Sequence, residues 1–336
     1  MSRHCLAEQF GGFVCDLDGV IYRGQHAVPG AVEALDAVSA PVVYATNNAS
    51  GTPEEFARRL QGHGVHVQPE QVLTSSLAAA RVLSRQLTSG APVMAIGGPG
   101  VAASLRAVGL EPREPADGSA VDAVVQGYGS SVTAGDLGHA AAAIRGGARW
   151  IATNEDRTLP TEDGVAPGNG ALVAALSMAV DVAPEVIGKP HPPMYEMAAD
   201  LLRQPAGRVL ALGDRLETDI AGAVATGMPG ALVLTGVHGA KEAAAAPATM
   251  RPSYLLRDLG DLHRPYPPAG CADGFAVRGG ARARVTDVLQ VEGDGIDAER
   301  AAVDALHAAL DEGRITVDDV GDLWRTGSVD RTRPEE

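Results

Sequence analysis

Short β-branched runs alternate with Ala-rich stretches over about 260 residues, and this alternation restricts the fold more than any other feature. The runs are long enough for buried strands and the Ala-rich stretches for helices, which is the pattern of parallel βα units. Four strands are predicted in the outer parts of this region, at 13–15, 41–45, 208–212 and 231–234. Three more are predicted in its middle, at 93–96, 123–125 and 150–152. The chain is therefore predicted to be an α/β protein whose middle part either continues one sheet or forms an inserted domain.

The composition changes at residues 263–268, where several prolines exclude a continuous helix and predict a linker. Beyond the linker, the pattern predicts two strands and two helices, at 274–277, 283–285, 298–310 and 315–324. Residues 328–336 are predicted to be loose. The sequence thus predicts a small C-terminal α+β extension, which contains none of the chemical motifs described below.

The chain carries a formal net charge of −15. Such a protein repels the phosphate backbone of nucleic acids and anionic membrane surfaces, so we expect neither nucleic acid nor membrane as a partner. A small anionic substrate stays compatible, because a few cations and backbone amides outweigh the global field locally. The N-terminal residues do not resemble a secretion signal, and no apolar segment is long enough for a membrane span.

The three cysteines, Cys5, Cys15 and Cys271, are an odd number and contain no CxxC pair. This pattern favours free thiols in a reducing compartment over a disulfide framework. We therefore expect a cytoplasmic protein.

Two aspartates separated by one residue, Asp16 and Asp18, directly follow the first predicted strand. Ligands of open α/β sheets bind beyond the carboxyl ends of the strands, so both carboxylates can approach one ligand there. One carboxylate is a candidate nucleophile toward phosphorus, and the other a candidate general acid and base. The alternative interpretation is that Asp18 and Gly19 only form a turn.

Two further motifs offer groups that could hold phosphate. Thr46-Asn47-Asn48 follows the second predicted strand and presents a hydroxyl, side-chain amides and backbone N–H groups. Gly188-Lys189-Pro190 presents a cation in a turn before a helical stretch. Taken alone, the first motif is also typical of a helix entry, and the second of a solvated surface lysine.

The last motif is a second pair of acids, Asp214 and Asp219, which follows the predicted strand at 208–212. Carboxylates grouped in this way suit Mg²⁺, which prefers oxygen ligands. The alternative is a polar turn in which Asp219 supplies a negative charge at the start of a helix.

In this order along the chain, the four motifs resemble those of the haloacid dehalogenase-like phosphatase superfamily. The Thr46-Asn47-Asn48 form and the run from Gly213 to Ile220 are similar to its subfamily IIA, which includes nucleotide, pyridoxal phosphate, phosphoglycolate and glycerol-3-phosphate phosphatases. The resemblance covers residues 11–262. It implies a Rossmann-like core with a parallel sheet and an inserted α/β cap domain of the C2 type.

The resemblance also implies a role for each acid. Asp16 would be the nucleophile, and Asp18 the general acid and base. Magnesium would be held by Asp16, by the backbone carbonyl of Asp18, and by Asp214. Asp219 would lie close by, either as a ligand or as a group that orients a metal-bound water or the lysine.

By the same resemblance, Thr46 and Asn47 would bind the transferring phosphoryl group, and Lys189 would act in catalysis by offsetting its charge. No residue of the four motifs is missing. We therefore expect an active, Mg²⁺-dependent enzyme that works on a small phosphorylated metabolite through an aspartyl-phosphate.

The resemblance places the cap between the second and third motifs. It divides the chain into a catalytic core at 1–77 and 179–265, a C2 cap domain at 78–178 and an extension at 266–336. A cap excludes water and contributes to substrate choice. The cap residues expected to face substrate are Asn154, Glu155, Asp156 and Arg157; the alternative is that they are ordinary turn residues.

The acids Glu155 and Asp156 would disfavour a second anionic group on the substrate, such as the carboxylate of phosphoglycolate, and would tolerate an uncharged polyol such as glycerol. A subfamily IIA phosphatase followed by such an extension also resembles the glycerol-3-phosphate phosphatases of high-GC, actinobacterial-type bacteria. In that group the extension looks like a reduced acetyltransferase fold. Glycerol 3-phosphate is therefore the expected substrate, with phosphoglycolate, pyridoxal phosphate and nucleotides as alternatives.

Other functions stay open at this level. A phosphotransferase or mutase would use the same aspartyl-phosphate with an acceptor alcohol in place of water. A non-catalytic phosphometabolite-binding protein would not need Asp16 and Asp18, and both are present. The extension is expected to be a packing or oligomerisation element. The alternative is that it adds acyl-CoA binding, although it shows no Gly-rich pyrophosphate loop. The sequence does not define an oligomeric state; homodimers formed through the caps are common in the resembled subfamily.

Overall fold

The computed structural model describes residues 4–161 and 164–327, so the segment predicted to be loose, 328–336, lies outside the described residues. Strands are numbered along the chain. The strands in the described residues are β1 (Gly12–Cys15), β2 (Tyr22–Arg23), β3 (His26–Ala27), β4 (Val42–Thr46), β5 (Val72–Thr74), β6 (Pro92–Ile96), β7 (Glu111–Arg113), β8 (Ala123–Gln126), β9 (Arg149–Ala152), β10 (Thr158–Thr161), β11 (Gly164–Pro167), β12 (Glu185–Val186), β13 (Val209–Gly213), β14 (Gly230–Val233), β15 (Tyr254–Leu256), β16 (Gly270–Ala272), β17 (Phe275–Arg278), β18 (Ala281–Val285) and β19 (Leu289–Glu292).

The helices are numbered in the same way. The α-helices in the described residues are α1 (Ala31–Asp36), α2 (Pro53–Gly62), α3 (Ser75–Ser84), α4 (Pro99–Ala107), α5 (Ala134–Arg145), α6 (Asn169–Ser177), α7 (Pro192–Leu202), α8 (Ala221–Ala225), α9 (Ala240–Ala244), α10 (Gly295–Asp311) and α11 (Val317–Thr326). A π-helical turn, Leu216–Ile220, directly precedes α8.

The described residues 4–41 and 204–327 form one compact unit. Within it, four parallel strands pair in the order β15-β14-β13-β1. Every residue of β1, β13 and β14 is buried. Continuous burial of this kind is typical of parallel strands that are covered on both faces.

The C-terminal extension, residues 266–327, belongs to the same unit. Its four strands form an antiparallel sheet in the order β16-β17-β18-β19. Burial alternates along β18, so one face of this sheet is covered, and Ala283 on that face joins an apolar cluster with residues of α10. The predicted strands and helices of the extension are thus present, with a further strand on each side of the predicted pair.

Residues 42–203 form the second compact unit. In it β4 and β5 pair in parallel, and a separate parallel sheet has the order β12-β9-β8-β6-β7. Apolar residues of that sheet pack with α5 and α6 around Val124 and Trp150. The strands β10 and β11 form an antiparallel pair outside this sheet.

The predicted α/β class with parallel sheets is confirmed. The helix α5 begins at Ala134, where the side chains of Thr133 and Asp136 cap its start reciprocally. In the described residues, Cys5, Cys15 and Cys271 form no disulfide. Among the described residues, no helix combines the length and apolarity that a membrane span requires. The boundaries proposed for core, cap and extension stay a prediction.

Candidate active site

Asp16 and Asp214 follow two neighbouring strands of the first unit. β1 pairs in parallel with β13, with Cys15 opposite Leu212, and the N–H of Asp16 donates to the carbonyl of Leu212 at 2.9 Å. Asp214 comes directly after Gly213, the last residue of β13. Since parallel strands end at the same edge of a sheet, the two aspartates leave the sheet side by side.

Asp16, Asp214 and Asp219 each present a carboxylate oxygen within 4.8 Å of the other two. Asp214 is 2 % exposed and Asp219 is 3 % exposed, whereas Asp16 is half-buried. Carboxylates this close together in buried surroundings repel one another, so a cation among them stabilises their charged forms. The donors are all oxygen atoms, which is the set that Mg²⁺ prefers. The three residues therefore fit a magnesium ion.

Backbone from two loops encloses the carboxylate of Asp214. Its Oδ2 accepts a hydrogen bond from the N–H of Val237 at 2.8 Å. A Cβ atom on Gly236 would lie 1.9 Å from this oxygen, and one on Gly19 would lie 2.2 Å from it. Gly19 also has a φ of +83°, in the left-handed region that favours glycine. A larger residue at either glycine would displace Asp214.

Asp219 lies on the π-helical turn that precedes α8. Its Oδ2 accepts a hydrogen bond from the N–H of Arg215 at 3.1 Å, which directs the carboxylate back toward the end of β13. The N–H of Leu216 donates to Nδ1 of His238 at 3.0 Å, so the start of the turn is held from a second segment. The sequence predicted an ordinary helix start here. Turns of the π type are rare and often occur at functional sites.

Asp18 is exposed, and the three-carboxylate cluster does not include it. The intervening Leu17 is fully buried. The next residue, Gly19, donates its N–H to the carbonyl of Tyr22 at 2.8 Å and accepts at its own carbonyl from the hydroxyl of Thr235 at 2.7 Å. This turn keeps Asp18 exposed.

Two of the predicted phosphate-binding residues, Thr46 and Asn47, lie at the carboxyl end of β4. Thr46, its last residue, is 4 % exposed, and its Oγ1 accepts a hydrogen bond from the N–H of Asn48 at 3.1 Å. Because the oxygen is the acceptor in this bond, the hydroxyl hydrogen can be donated to another group, such as a phosphate oxygen.

The side chain of Asn47 joins three segments of the second unit. Its Nδ2 donates to Oδ1 of Asp156 at 3.1 Å and to the carbonyl of Lys189 at 3.0 Å. Its Oδ1 accepts from the N–H of Lys189 at 2.8 Å. A primary amide has two hydrogens to donate, so both are used within the protein.

Lys189 is 4 % exposed, and its Nζ donates to the carbonyl of Ala45 at 3.1 Å. The alternative of a solvated surface lysine is therefore wrong. An ammonium group that is buried to this degree costs free energy unless negative or strongly polar groups surround it. The second unit thus presents a fixed cation close to the carboxyl end of β4.

Two of the four cap residues selected from the sequence, Asn154 and Asp156, contact Asn47. Nδ2 of Asn154 donates to the carbonyl of Asn47 at 2.7 Å, and Oδ1 of Asn154 accepts from the N–H of Asp156 at 3.1 Å. The other two lie apart from this network. Oε2 of Glu155 lies 3.5 Å from Nε2 of His191, and Arg157 is exposed.

The sequence reasoning missed two buried residues that support this network. Ser75, at the start of α3, donates its hydroxyl to the carbonyl of Asn47 at 2.7 Å. Asn169, at the start of α6, donates Nδ2 to the carbonyl of Asn154 at 2.7 Å. A polar residue that opens an apolar helix was the only available signal, and at these positions it is usually interpreted as a helix cap.

Comparisons with known proteins show the family of this chain. Residues 13–111 match the family model of haloacid dehalogenase-like hydrolases, and residues 186–262 match a second, HAD-hydrolase-like model. The chain is 42 % identical to the D-glycerol 3-phosphate phosphatase of Mycobacterium tuberculosis over 259 residues, which are 77 % of this chain and 72 % of that protein. It is 36 % identical to the acid sugar phosphatase of Staphylococcus haemolyticus over 75 % of this chain and 95 % of that protein.

Solved structures give the same assignment. The crystal structure of a glycerol phosphate phosphatase from Mycobacterium tuberculosis in complex with magnesium superposes with a TM-score of 0.83. The two sequences are 38 % identical, and the match covers 91 % of this chain and 93 % of that one. The resemblance that the motifs indicated is confirmed, and the chain belongs to the haloacid dehalogenase-like hydrolases.

Proposed function

We propose that this protein is a magnesium-dependent phosphomonoester hydrolase that acts on glycerol 3-phosphate through a phosphorylated Asp16. The observation that carries the proposal is the cluster of Asp16, Asp214 and Asp219 beyond the ends of β1 and β13. Similar proteins support it, since the two relatives named above are phosphatases and the solved structure named above is that of a glycerol phosphate phosphatase in complex with magnesium.

Magnesium would be held by the carboxylates of Asp16 and Asp214 and by the backbone carbonyl of Asp18. Asp219, whose carboxylate belongs to the same cluster, is either a further ligand or holds a water on the ion. When bound, the ion neutralises negative charge on the phosphoryl oxygens and on the attacking carboxylate.

In the proposed first step, a carboxylate oxygen of Asp16 attacks phosphorus, and the bond from phosphorus to the ester oxygen breaks. Asp18 donates its proton to the departing alkoxide, which leaves as the alcohol. In the second step Asp18, now a carboxylate, accepts a proton from water as the water oxygen attacks phosphorus. Inorganic phosphate leaves, and the carboxylate of Asp16 is restored. The exposed position of Asp18 is consistent with this double role.

The groups of the second unit would bind the phosphoryl oxygens. Thr46 would donate its hydroxyl hydrogen, and Lys189 would supply the positive charge. Both side-chain hydrogens of Asn47 are donated to Asp156 and Lys189. We therefore assign phosphate binding by Asn47 to its backbone N–H and give its side chain the task of holding Lys189.

Glycerol 3-phosphate is the proposed substrate because charge near Asn47 disfavours a second anion. Asp156 accepts a hydrogen bond from the side chain of Asn47, and its neighbour in the sequence, Glu155, adds a second negative charge to the same loop. A carboxylate or a second phosphate on the substrate would be repelled by these groups, whereas the hydroxyls of glycerol would not. The cytoplasmic location and a homodimer stay predictions.

The test is release of inorganic phosphate by the full-length protein, with Mg²⁺ or with excess chelator. The substrates are glycerol 3-phosphate, phosphoglycolate, pyridoxal phosphate, a nucleoside monophosphate and p-nitrophenyl phosphate. We expect turnover only with the metal, and a kcat/KM for glycerol 3-phosphate at least about ten-fold above the other metabolites.

Each other outcome has a distinct meaning. Metal-dependent preference for another phosphomonoester would retain the mechanism and replace the substrate. Transfer of phosphate to added glycerol or another alcohol in preference to water would indicate a phosphotransferase. No turnover of any ester in the presence of Mg²⁺ would overturn the proposal and favour a phosphometabolite-binding protein.

A further inference from the structure

The segment from Gly236 to Ala244 links the acid cluster to the C-terminal extension. At its start, the N–H of Val237 donates to the carboxylate of Asp214, and the N–H of His238 donates to the carbonyl of the same residue at 3.1 Å. The ring of His238 accepts from the first N–H of the π-helical turn that carries Asp219. This segment therefore holds both buried acids of the cluster.

The end of the segment is the helix α9, which is only five residues long. A helix this short is not stable by itself, so its position depends on what packs against it. Its alanines Ala240, Ala243 and Ala244 are almost fully buried in an apolar cluster that also contains Leu306 of α10 and Val320 of α11. The extension thus supplies apolar surface for α9.

A polar contact adds to this packing. Nε2 of His307, on α10, lies 2.9 Å from the carbonyl of Ala243 and donates to it. The same carbonyl accepts from the N–H of Ala246 at 3.2 Å, so the ring of His307 supplies its second hydrogen bond. His307 therefore ties the extension to the carboxyl end of α9.

The π-helical turn belongs to the same apolar cluster. Its first and last residues, Leu216 and Ile220, are 6 % and 0 % exposed and share the cluster with residues of α10. A shift of α10 would consequently reach Asp219 through this turn and Asp214 through α9.

We infer that the C-terminal extension is a positioning element of the magnesium site, which acts through α9 and residues 236–238. The inference rests on the proposed function, because it requires the cluster of Asp16, Asp214 and Asp219 to bind Mg²⁺. The extension contributes no ligand. It fixes the backbone that holds two of the ligands.

The test uses His307→Ala in the full-length protein. Calorimetric titration of the metal-free protein with MgCl₂ is expected to show a dissociation constant raised about three- to ten-fold. The Mg²⁺ concentration for half-maximal phosphate release should rise by the same factor, while kcat at saturating Mg²⁺ stays close to that of the unmodified protein. His307→Gln, which can place an amide N–H near the position of Nε2, is expected to restore the affinity.

Arg282→Met is the matched control. Arg282 pairs with Glu292 and lies over the ring of Phe275, so its loss destabilises the extension at a contact that involves neither α9 nor α10. We expect this variant to lower Tm and to leave the affinity for Mg²⁺ unchanged. The inference would be overturned by equal weakening of Mg²⁺ binding in both variants, or by a His307→Ala variant that loses only stability.

The two proposals fail in different ways. If the unmodified protein bound no Mg²⁺ in the calorimeter, the proposed function would be wrong, and the inference would fall with it. If the unmodified protein bound Mg²⁺ and His307→Ala bound it equally well, only the inference would be wrong.

Discussion

The side chain of Asn47 makes two hydrogen bonds to the backbone of Lys189: it accepts from the N–H at 2.8 Å and donates to the carbonyl at 3.0 Å. These two residues lie 142 positions apart in the sequence. These two hydrogen bonds fix the main chain of Lys189, and the side chain of Lys189 then reaches the carbonyl of Ala45. The position of the buried cation therefore depends on an amide that comes from another motif.

Replacement of Asn47 should displace the positive charge of Lys189 without removing it. In Asn47→Ala the N–H of Lys189 loses its acceptor, so we expect a free energy of unfolding lower by about 2 kcal/mol. We also expect kcat to fall about 100-fold, because a displaced cation stabilises the transition state less well. Phosphate release and urea unfolding measure the two effects.

Asp156→Ala is the control for Asn47→Ala, since it removes only one of the three hydrogen bonds of the Asn47 side chain. It should lower kcat less than about ten-fold. If Asn47→Ala retained full kcat, the two hydrogen bonds from Asn47 to Lys189 would have no part in positioning that lysine.

Asp16→Asn should abolish turnover and stabilise the metal-free protein. The amide is not a nucleophile toward phosphorus, and the change removes one of three negative charges that lie within 4.8 Å of one another. Relief of that repulsion should raise the free energy of unfolding in chelator by about 1 kcal/mol. Phosphate release and denaturant unfolding in chelator test both parts, and substantial turnover would contradict the covalent mechanism.

The parts of the site that follow strands were predictable because the signal is local. An apolar run followed directly by acids marks both Asp16 and Asp214, and β13 lies within one residue of its predicted bounds. The capping box between Thr52 and Glu55 is equally local and opens α2 in the structure. Such patterns depend on neighbouring residues only, so a sequence reveals them.

The remaining features depend on contacts between distant segments. The π-helical turn of Asp219 is held by His238 and by apolar packing, and neither leaves a periodic pattern. Asp156 contacts Asn47 over a separation of 109 residues. The sequence therefore indicated an acidic residue in a loop but not the residue that it contacts. The packing of the extension on α9 was likewise invisible, because Ala-rich helices show which face is apolar but not what covers it.

Gly236→Ala should damage the metal site without replacing a ligand. A Cβ atom at this position would lie 1.9 Å from Oδ2 of Asp214, so the carboxylate must move. We expect calorimetry to show Mg²⁺ affinity reduced at least about ten-fold. Gly207→Ala is the matched control, since a Cβ atom there would meet no atom within 4 Å. Equal Mg²⁺ affinity in both variants would mean that the contact does not hold Asp214.

His307 should make the stability of the protein sensitive to mild acid. Burial lowers the pKa of His307 below its ordinary value of 6.5, and the charge of Arg251 acts in the same direction. The hydrogen bond to Ala243 and the charges of Asp304 and Asp311 oppose this shift without cancelling it. As the pH falls below 6.5, the unfolded chain therefore takes up a proton that the folded protein still excludes, and stability is lost.

The prediction for His307 is a difference in the pH dependence of Tm. Above pH 6.5 the residue is neutral in both states and contributes no slope. Between that pH and the lower pKa of the folded state, the Tm of the unmodified protein should fall more steeply than that of His307→Gln. The glutamine keeps a donor for Ala243 and does not titrate, so it isolates the contribution of this proton. Parallel curves for the two proteins would show that protonation of His307 does not cause the loss of stability.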